Sequence, residues 1–147
     1  MVRRRGDQEM AGPAEAVVDA STAIKWLSEE EGTPAALKLR DEHVEGTTAL
    51  SAPDLLLYEL ANALRCRPGF DEEKTAKALG DVIDLQIDLI TPGRELLQQA
   101  TRDAYLYDTT VYDSCYLALG ELMGVEVYTS DKKFYERAKA SRVLRLI

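Results

Sequence analysis

Residues 16–22, Ala16-Val17-Val18-Asp19-Ala20-Ser21-Thr22, are the stretch on which the fold turns. Three successive apolar residues suit a strand buried on both faces, and the acid that ends the run is followed by Ser21 or Thr22, either able to cap a helix running to Leu27. An acid therefore stands at the carboxyl end of a buried strand. The same arrangement recurs near the end of the chain. There, residues 125–129 form a strand that ends at Ser130-Asp131 and leads into a basic helix over 132–139, and 143–147 make a last strand.

Between these two places the chain alternates. A helix with Ala36, Leu39 and His43 on one stripe precedes a short strand over 47–50. Ser51, Pro53 and Asp54 then mark a helix start, and the helix reads Leu55-Leu56-Leu57-Tyr58-Glu59-Leu60-Ala61-Asn62-Ala63-Leu64. Past Pro68-Gly69, residues 70–85 make an amphipathic helix with Ala76, Leu79, Val82 and Ile83 on one face. A strand over 87–90 and a helix carrying Leu96, Ala100 and Ala104 follow, then an apolar helix over 111–120 that Gly124 stops. Short strands alternating with longer helices predict βαβ crossovers, hence an α/β class with a mainly parallel sheet covered on both faces. Ligands in such sheets gather beyond the carboxyl ends of the strands, where Asp19 and Asp131 are placed.

The 147 residues fit a single domain. Residues 1–14 lack an apolar period and carry Gly12 and Pro13, so they read as a flexible tail, in which Met10 is a possible internal start, ahead of a domain over 15–147. With 46% hydrophobic and 30% charged residues the chain can bury a core, which excludes a disordered acidic segment and a disulfide-stapled mini-protein. Cys66 and Cys115 lie in apolar helical patterns with no signal peptide ahead of them, which predicts reduced thiols and a cytoplasmic location. Zinc is poorly served by one histidine and no Cys-x-x-Cys pair, leaving carboxylates as the abundant ligands. No apolar run reaches the roughly eighteen residues of a membrane span.

Most of the 26 acids need no special account. Glu59 is the only charge between Asp54 and Arg65, and Asp113 the only one between Asp108 and Glu121, each in a helix apolar on every side. Such helices are normally buried, and an inward carboxylate needs a compensating partner. Singly, each of the four acids is explained by an arginine or lysine partner, or by capping a helix. Together, two acids at strand ends and two in apolar helices predict one carboxylate rim, which is repulsive unless a divalent ion sits in it. All-oxygen ligation suits Mg²⁺ or Mn²⁺ and points to phosphodiester hydrolysis, with one or two ions.

The segments Val17-Val18-Asp19-Ala20-Ser21, 58–64, 111–119 and Tyr128-Thr129-Ser130-Asp131 together resemble the PIN-domain nucleases, and among them the VapC-type toxins of prokaryotic toxin–antitoxin pairs. The resemblance runs from about Val17 to Ile147. It implies an α/β/α sandwich and an endoribonuclease dependent on Mg²⁺ or Mn²⁺. Asp19, Glu59, Asp113 and Asp131 would be its catalytic, metal-binding acids, with Asp19 and Asp113 the firmest ligands. Ser21 and Thr129 match supporting hydroxyl positions, and Asn62 lies one helical turn from Glu59. The resemblance further implies an RNA substrate, a cognate antitoxin and a homodimer, to which the apolar face of the 70–85 helix is a candidate contributor.

A net charge of −8 opposes RNA binding, which rests on neutralising phosphates. Two divalent ions would reduce it to −4, and the stretch from Lys132 to Ile147 carries +5. Lys132 and Lys133 are therefore candidate RNA or antitoxin contacts, as are Arg65 and Arg67 beyond the Glu59 helix. A plain solvated face explains the same charges. Two rival functions remain open to comparison. A haloacid-dehalogenase-like phosphatase needs a second Asp two residues after the first, where this chain has Ser21. A catalytically silent PIN-like scaffold that binds RNA or protein would typically lack one of the acids, and all four are here.

Overall fold

The computed structural model describes residues 12–28 and 33–147. Along them run five strands, β1 Ala14–Val18, β2 Thr48–Pro53, β3 Asp88–Ile90, β4 Glu126–Thr129 and β5 Leu144–Leu146. The helices are α1 Ala20–Ala23, α2 Thr33–Glu45, α3 Leu55–Arg65, α4 Glu72–Asp84, α5 Arg94–Tyr107, α6 Val111–Met123 and α7 Lys132–Ala138, with a 3₁₀ turn Ile24–Trp26 extending α1. Most of the expected tail lies outside the described residues; Ala14, assigned to it by the sequence, is the first residue of β1.

All strand pairings are parallel, in the order β3-β2-β1-β4-β5. β1 is central, and its Val17 lies between Ser51 of β2 and Val127 of β4. This explains the unbroken apolar run: Ala16, Val17 and Val18 are all buried. From β1 the chain moves outward to β2 and β3, then returns to the far side of β1 for β4 and β5. That reversal makes the carboxyl ends of β1 and β4 the topological switch point, and Asp19 and Asp131 follow those two strands.

Helices cover both faces of the sheet, giving the α/β/α sandwich expected from the sequence. α6 packs across β1, β2 and β4, and its residues from Ser114 to Gly120 are buried without interruption. Gly120 permits that approach, since a Cβ there would collide with the Val127 side chain.

Local signals fail at several boundaries. Ser51 does not start a helix but continues β2, buried between Val17 and Asp88; pairing on both sides outweighs the local helix-start signal. Asp54 donates its backbone N–H to the Ile90 carbonyl at 2.9 Å and accepts from the Thr91 hydroxyl at 3.1 Å, and its side chain does not cap α3. The cap of α1 is Asp19, not Ser21 or Thr22. The amphipathic helix starts at Glu72 behind the cap Asp71; of its expected apolar face Val82 is buried, while Ala76 and Ile83 are exposed. Nor is α3 enclosed all round. It buries Leu56, Leu60 and Leu64 and leaves Tyr58 78% exposed.

His43 serves the architecture. Its Nδ1 accepts the Leu50 N–H at 3.0 Å, which leaves Nε2 to donate to the Leu85 carbonyl at 2.7 Å, so one ring ties α2 to β2 and to the end of α4. Both cysteines are free, Cys66 exposed and Cys115 buried. Among the described residues no helix is long and apolar enough to cross a membrane.

Candidate functional site

Asp19 leaves β1 in extended conformation and caps α1, its Oδ1 accepting the Thr22 N–H at 3.1 Å. The Ser21 hydroxyl donates to the same oxygen at 2.7 Å, and the Thr129 hydroxyl donates to Oδ2 at 2.5 Å. Each hydroxyl also accepts a backbone N–H from the loop after β4: Ser21 that of Ser130 at 2.8 Å, Thr129 that of Asp131 at 3.1 Å. Ser21 and Thr129 therefore have fixed proton directions, and through them the β4 loop is locked to Asp19. The two hydroxyls singled out in the sequence thus both bond the Asp19 side chain, and Thr129 meets Asp131 only through its backbone N–H.

Even so, burial dominates, and the Asp19 carboxyl is pushed up to about 6, with the nearby Asp113 charge adding to the rise. Glu59, half-buried on α3, is raised by burial and by the charges of Asp113 and Asp19, against a lowering hydrogen bond from the Tyr116 hydroxyl at 2.9 Å. Asp113 is raised by burial and by Asp131, and partly relieved by Thr110. Three residues on separate elements thus feel one another's charge, and a fourth, Asp131, acts on Asp113. Among the described residues no ion pair engages any of the four. Asp131 caps α7, with Oδ1 accepting the Phe134 N–H at 3.1 Å. Both strand-end acids are therefore helix caps as well as members of the rim. As they stand, no three acids, histidines or cysteines among the described residues converge closely enough to hold an ion.

A groove of about 430 Å³ opens beside the rim between the start of α6 and α7. Asp113 and Asp131 line it together with Lys133 and Arg137. Arg137 donates to the Asp108 carbonyl at 2.5 Å and pairs with the Asp108 carboxylate at 3.6 Å. Among the described residues no ion pair engages Lys132 or Lys133, both exposed, whereas Lys139 pairs with Glu136 and Arg145 with Glu126. Of the cations singled out in the sequence, Lys133 alone lines the groove. Arg65 is exposed on the last turn of α3, about 9 Å along the axis from Glu59 at 1.5 Å per residue. Arg67 donates to the Ser28 hydroxyl at 2.7 Å. Asn62 is exposed, with no hydrogen bond to Glu59.

Two contributors were missed in the sequence. Tyr116 is hidden within the apolar 111–120 helix, although a tyrosine buried one turn beyond an acid must find a partner for its hydroxyl. Thr110 caps α6 by accepting the Asp113 N–H at 3.1 Å, and its signal was legible as a Thr-x-x-Asp box.

The protein-family profile described as "PIN domain" matches residues 16–140. No curated protein matches the chain. Among solved structures, PAE2754 from Pyrobaculum aerophilum superimposes with a TM-score of 0.64 at 21% identity, covering 87% of this chain and 82% of that one. VapBC2 from Rickettsia felis, bound to a DNA fragment from its promoter, gives a TM-score of 0.65 at 10% identity over 90% of this chain and 98% of that one. A toxin–antitoxin complex from Klebsiella pneumoniae gives 0.61 at 15% identity over 82% and 89%. These likenesses extend over nearly the whole sandwich.

Proposed function

The chain belongs to the PIN-domain family, and from that premise we propose that it is a metal-dependent endoribonuclease, the toxin of a VapBC-type toxin–antitoxin pair. The observation that carries the proposal is the carboxylate rim at the switch point: Asp19, Glu59 and Asp113 are each raised by burial and by a neighbouring acid, and among the described residues no ion pair engages them. An all-oxygen donor set fits Mg²⁺ or Mn²⁺, and Asp19, Glu59, Asp113 and Asp131 would hold one or two such ions. When bound, the ion supplies positive charge at the phosphate and lowers the pKa of a water.

The chain's own residues do the rest. Three donors hold Asp19 in one orientation, so its carboxylate is presented without rearrangement. Lys133 and Arg137 reach the groove beside Asp113 and Asp131, where an RNA phosphate would otherwise meet only negative charge. Tyr58, Val111 and Tyr112, the sequence neighbours of Glu59 and Asp113, are exposed apolar side chains suited to an antitoxin segment or to unstacked bases. The kinship with toxin–antitoxin structures supports an antitoxin partner, and the exposed Ile83 of α4 supports a homodimer contact. The absence of a membrane-crossing helix among the described residues accords with a cytoplasmic site of action.

The test is RNA cleavage by chelator-stripped protein on structured and unstructured RNA with added Mg²⁺ or Mn²⁺, beside identically prepared Asp19→Asn. Cleavage by the wild type, reduced at least ~100-fold in the variant, is expected. Equal cleavage by both would remove Asp19 from the chemistry, and failure of the wild type to bind either ion would favour the silent scaffold. Induced expression is expected to arrest growth; unimpaired growth counts against the toxin role.

A further inference from the structure

We infer that Tyr116 is a positioning residue for Glu59: its hydroxyl fixes one carboxylate oxygen from the neighbouring helix, so that the other is presented to the acid rim. The inference rests on the nuclease reading above. Tyr116 is 1% exposed and stands one turn past Asp113 on α6. Its hydroxyl reaches across to α3 and donates to Glu59 Oε1 at 2.9 Å. The bond thus joins the two helices that carry the half-buried acids of the rim.

Glu59 needs such a support more than its neighbours do. Asp19 has a short side chain and three donors, one from its own helix start and two from flanking hydroxyls. Glu59 has one more rotatable bond and, among the described residues, this single hydrogen bond. A carboxylate oxygen can only accept, so the Tyr116 hydroxyl is the donor of this bond. With Oε1 occupied in this way, Glu59 offers its second oxygen as the one free to face Asp19 and Asp113. A bond that merely satisfied a buried phenol would have the same length, so the distinction lies in what its removal does to the site.

Tyr116→Phe keeps the buried ring and deletes the donor. Calorimetric titration of Mn²⁺ into chelator-stripped wild type, Tyr116→Phe, Glu59→Gln and the double variant measures the coupling, and kcat and KM for RNA accompany each. Loss of the hydroxyl is expected to weaken Mn²⁺ binding roughly tenfold, the scale for removing a group that orients a ligand. It should lower kcat about as much, with KM little changed. In the Glu59→Gln background the same substitution should have no further effect on either quantity. Additive losses, or unchanged Mn²⁺ affinity in Tyr116→Phe while Asp19→Asn abolishes binding, would overturn the positioning role and leave the nuclease reading intact. Wild type that binds no Mn²⁺ would overturn both.

Discussion

Two groups of carboxylates stand at opposite ends of α6, one with Asp113 at its first turn and the other with Glu121 near its last. At the rim, Asp19 meets hydroxyl and backbone donors on both oxygens. At the other end, Asp103 of α5 is 2% exposed and faces Glu121, with the Gln99 amide bridging them at 3.2 and 3.3 Å. Ser141 donates to the second Glu121 oxygen at 3.0 Å, while Asp103 Oδ2 has no donor. Two ionised carboxylates can only accept, so the orphan oxygen is resolved when Asp103 carries a proton shared with Glu121. Burial first, then the facing Glu121, push Asp103 up to about 8, against lowering by the Gln99 hydrogen bond and then by the Arg102 charge. Arg102 itself donates to the Gln99 carbonyl oxygen at 2.7 Å, which orients the bridging amide. Donors from hydroxyls leave a carboxylate ionisable and open to a cation; a shared proton neutralises the pair and closes it. Like charge is relieved in two ways in one fold, and only the first leaves chemistry available.

Breaking the closed pair gives the largest expected effect. The folded protein holds the Asp103 proton where the unfolded chain has already released it, so this stabilisation is complete below about pH 4 and is lost as pH rises through about 8. Asp103→Asn supplies a permanent N–H in place of that proton. At pH 9 the variant is expected to be more stable than wild type by an amount on the order of several kcal/mol, and near wild type at pH 4. The Asp19 contribution has the same sign and is lost by about pH 6, so it should survive in the variant as a shorter slope. Urea unfolding from pH 4 to 9 measures both windows. A variant curve parallel to that of wild type would show that Asp103 is ionised in the fold. RNA cleavage should be unaltered.

Filling the open site gives the next effect. Mn²⁺ at 100 times its Kd is expected to stabilise the wild type by about 2.7 kcal/mol at pH 7.5. Asp103→Asn should respond equally and Asp19→Asn not at all, as read from thermal unfolding with and without the ion. A shift lost on altering Asp103 would place the ion between α5 and α6 and dissolve the contrast between the two groups.

The contrast also explains what the sequence disclosed. Glu59 and Asp113 were legible because each is a lone charge in an apolar stretch, and Asp19 and Asp131 because short apolar strands end at them. Asp103 sits in Arg102-Asp103, on a helix whose outer face is polar, and nothing local marks it as inward. Its partner lies eighteen positions away, so the pair exists only once α5 packs on α6. The course of β2 through Ser51 was hidden for a related reason: Ser and Pro read as a helix start until neighbours on both sides supply a ladder. Class, element order and the four acids followed from apolar periodicity, whereas strand order, the Tyr116–Glu59 bond and the Asp103–Glu121 pair depend on distant packing.

Gly120 tests whether the two groups are mechanically linked through α6. Its absent Cβ lets the helix lie on Val127 and close to the Val125 carbonyl, and Glu121 is the next residue. Gly120→Ala should force α6 outward at a cost of roughly 1–3 kcal/mol in urea unfolding. Asp113 lies about 10 Å back along the axis at 1.5 Å per residue, so the Asp103 pH window should shift more than Mn²⁺ affinity. Equal disturbance of both would mean that α6 moves as a rigid rod.

Thr110 gives the smallest effect and acts from the opposite end of the same helix. Its hydroxyl accepts the Asp113 N–H, so Thr110→Ala removes a cap worth about 1 kcal/mol and loosens the turn that carries Asp113. Mn²⁺ affinity should fall with it, whereas the pH window of Asp103 and Glu121, three turns away, should stay where it is. Thr110→Ser keeps an oxygen in reach of the same N–H and is expected to restore both stability and affinity. If serine restored stability alone, the threonine methyl rather than the cap would be setting the position of Asp113, and the rim would depend on packing as well as on hydrogen-bond donors.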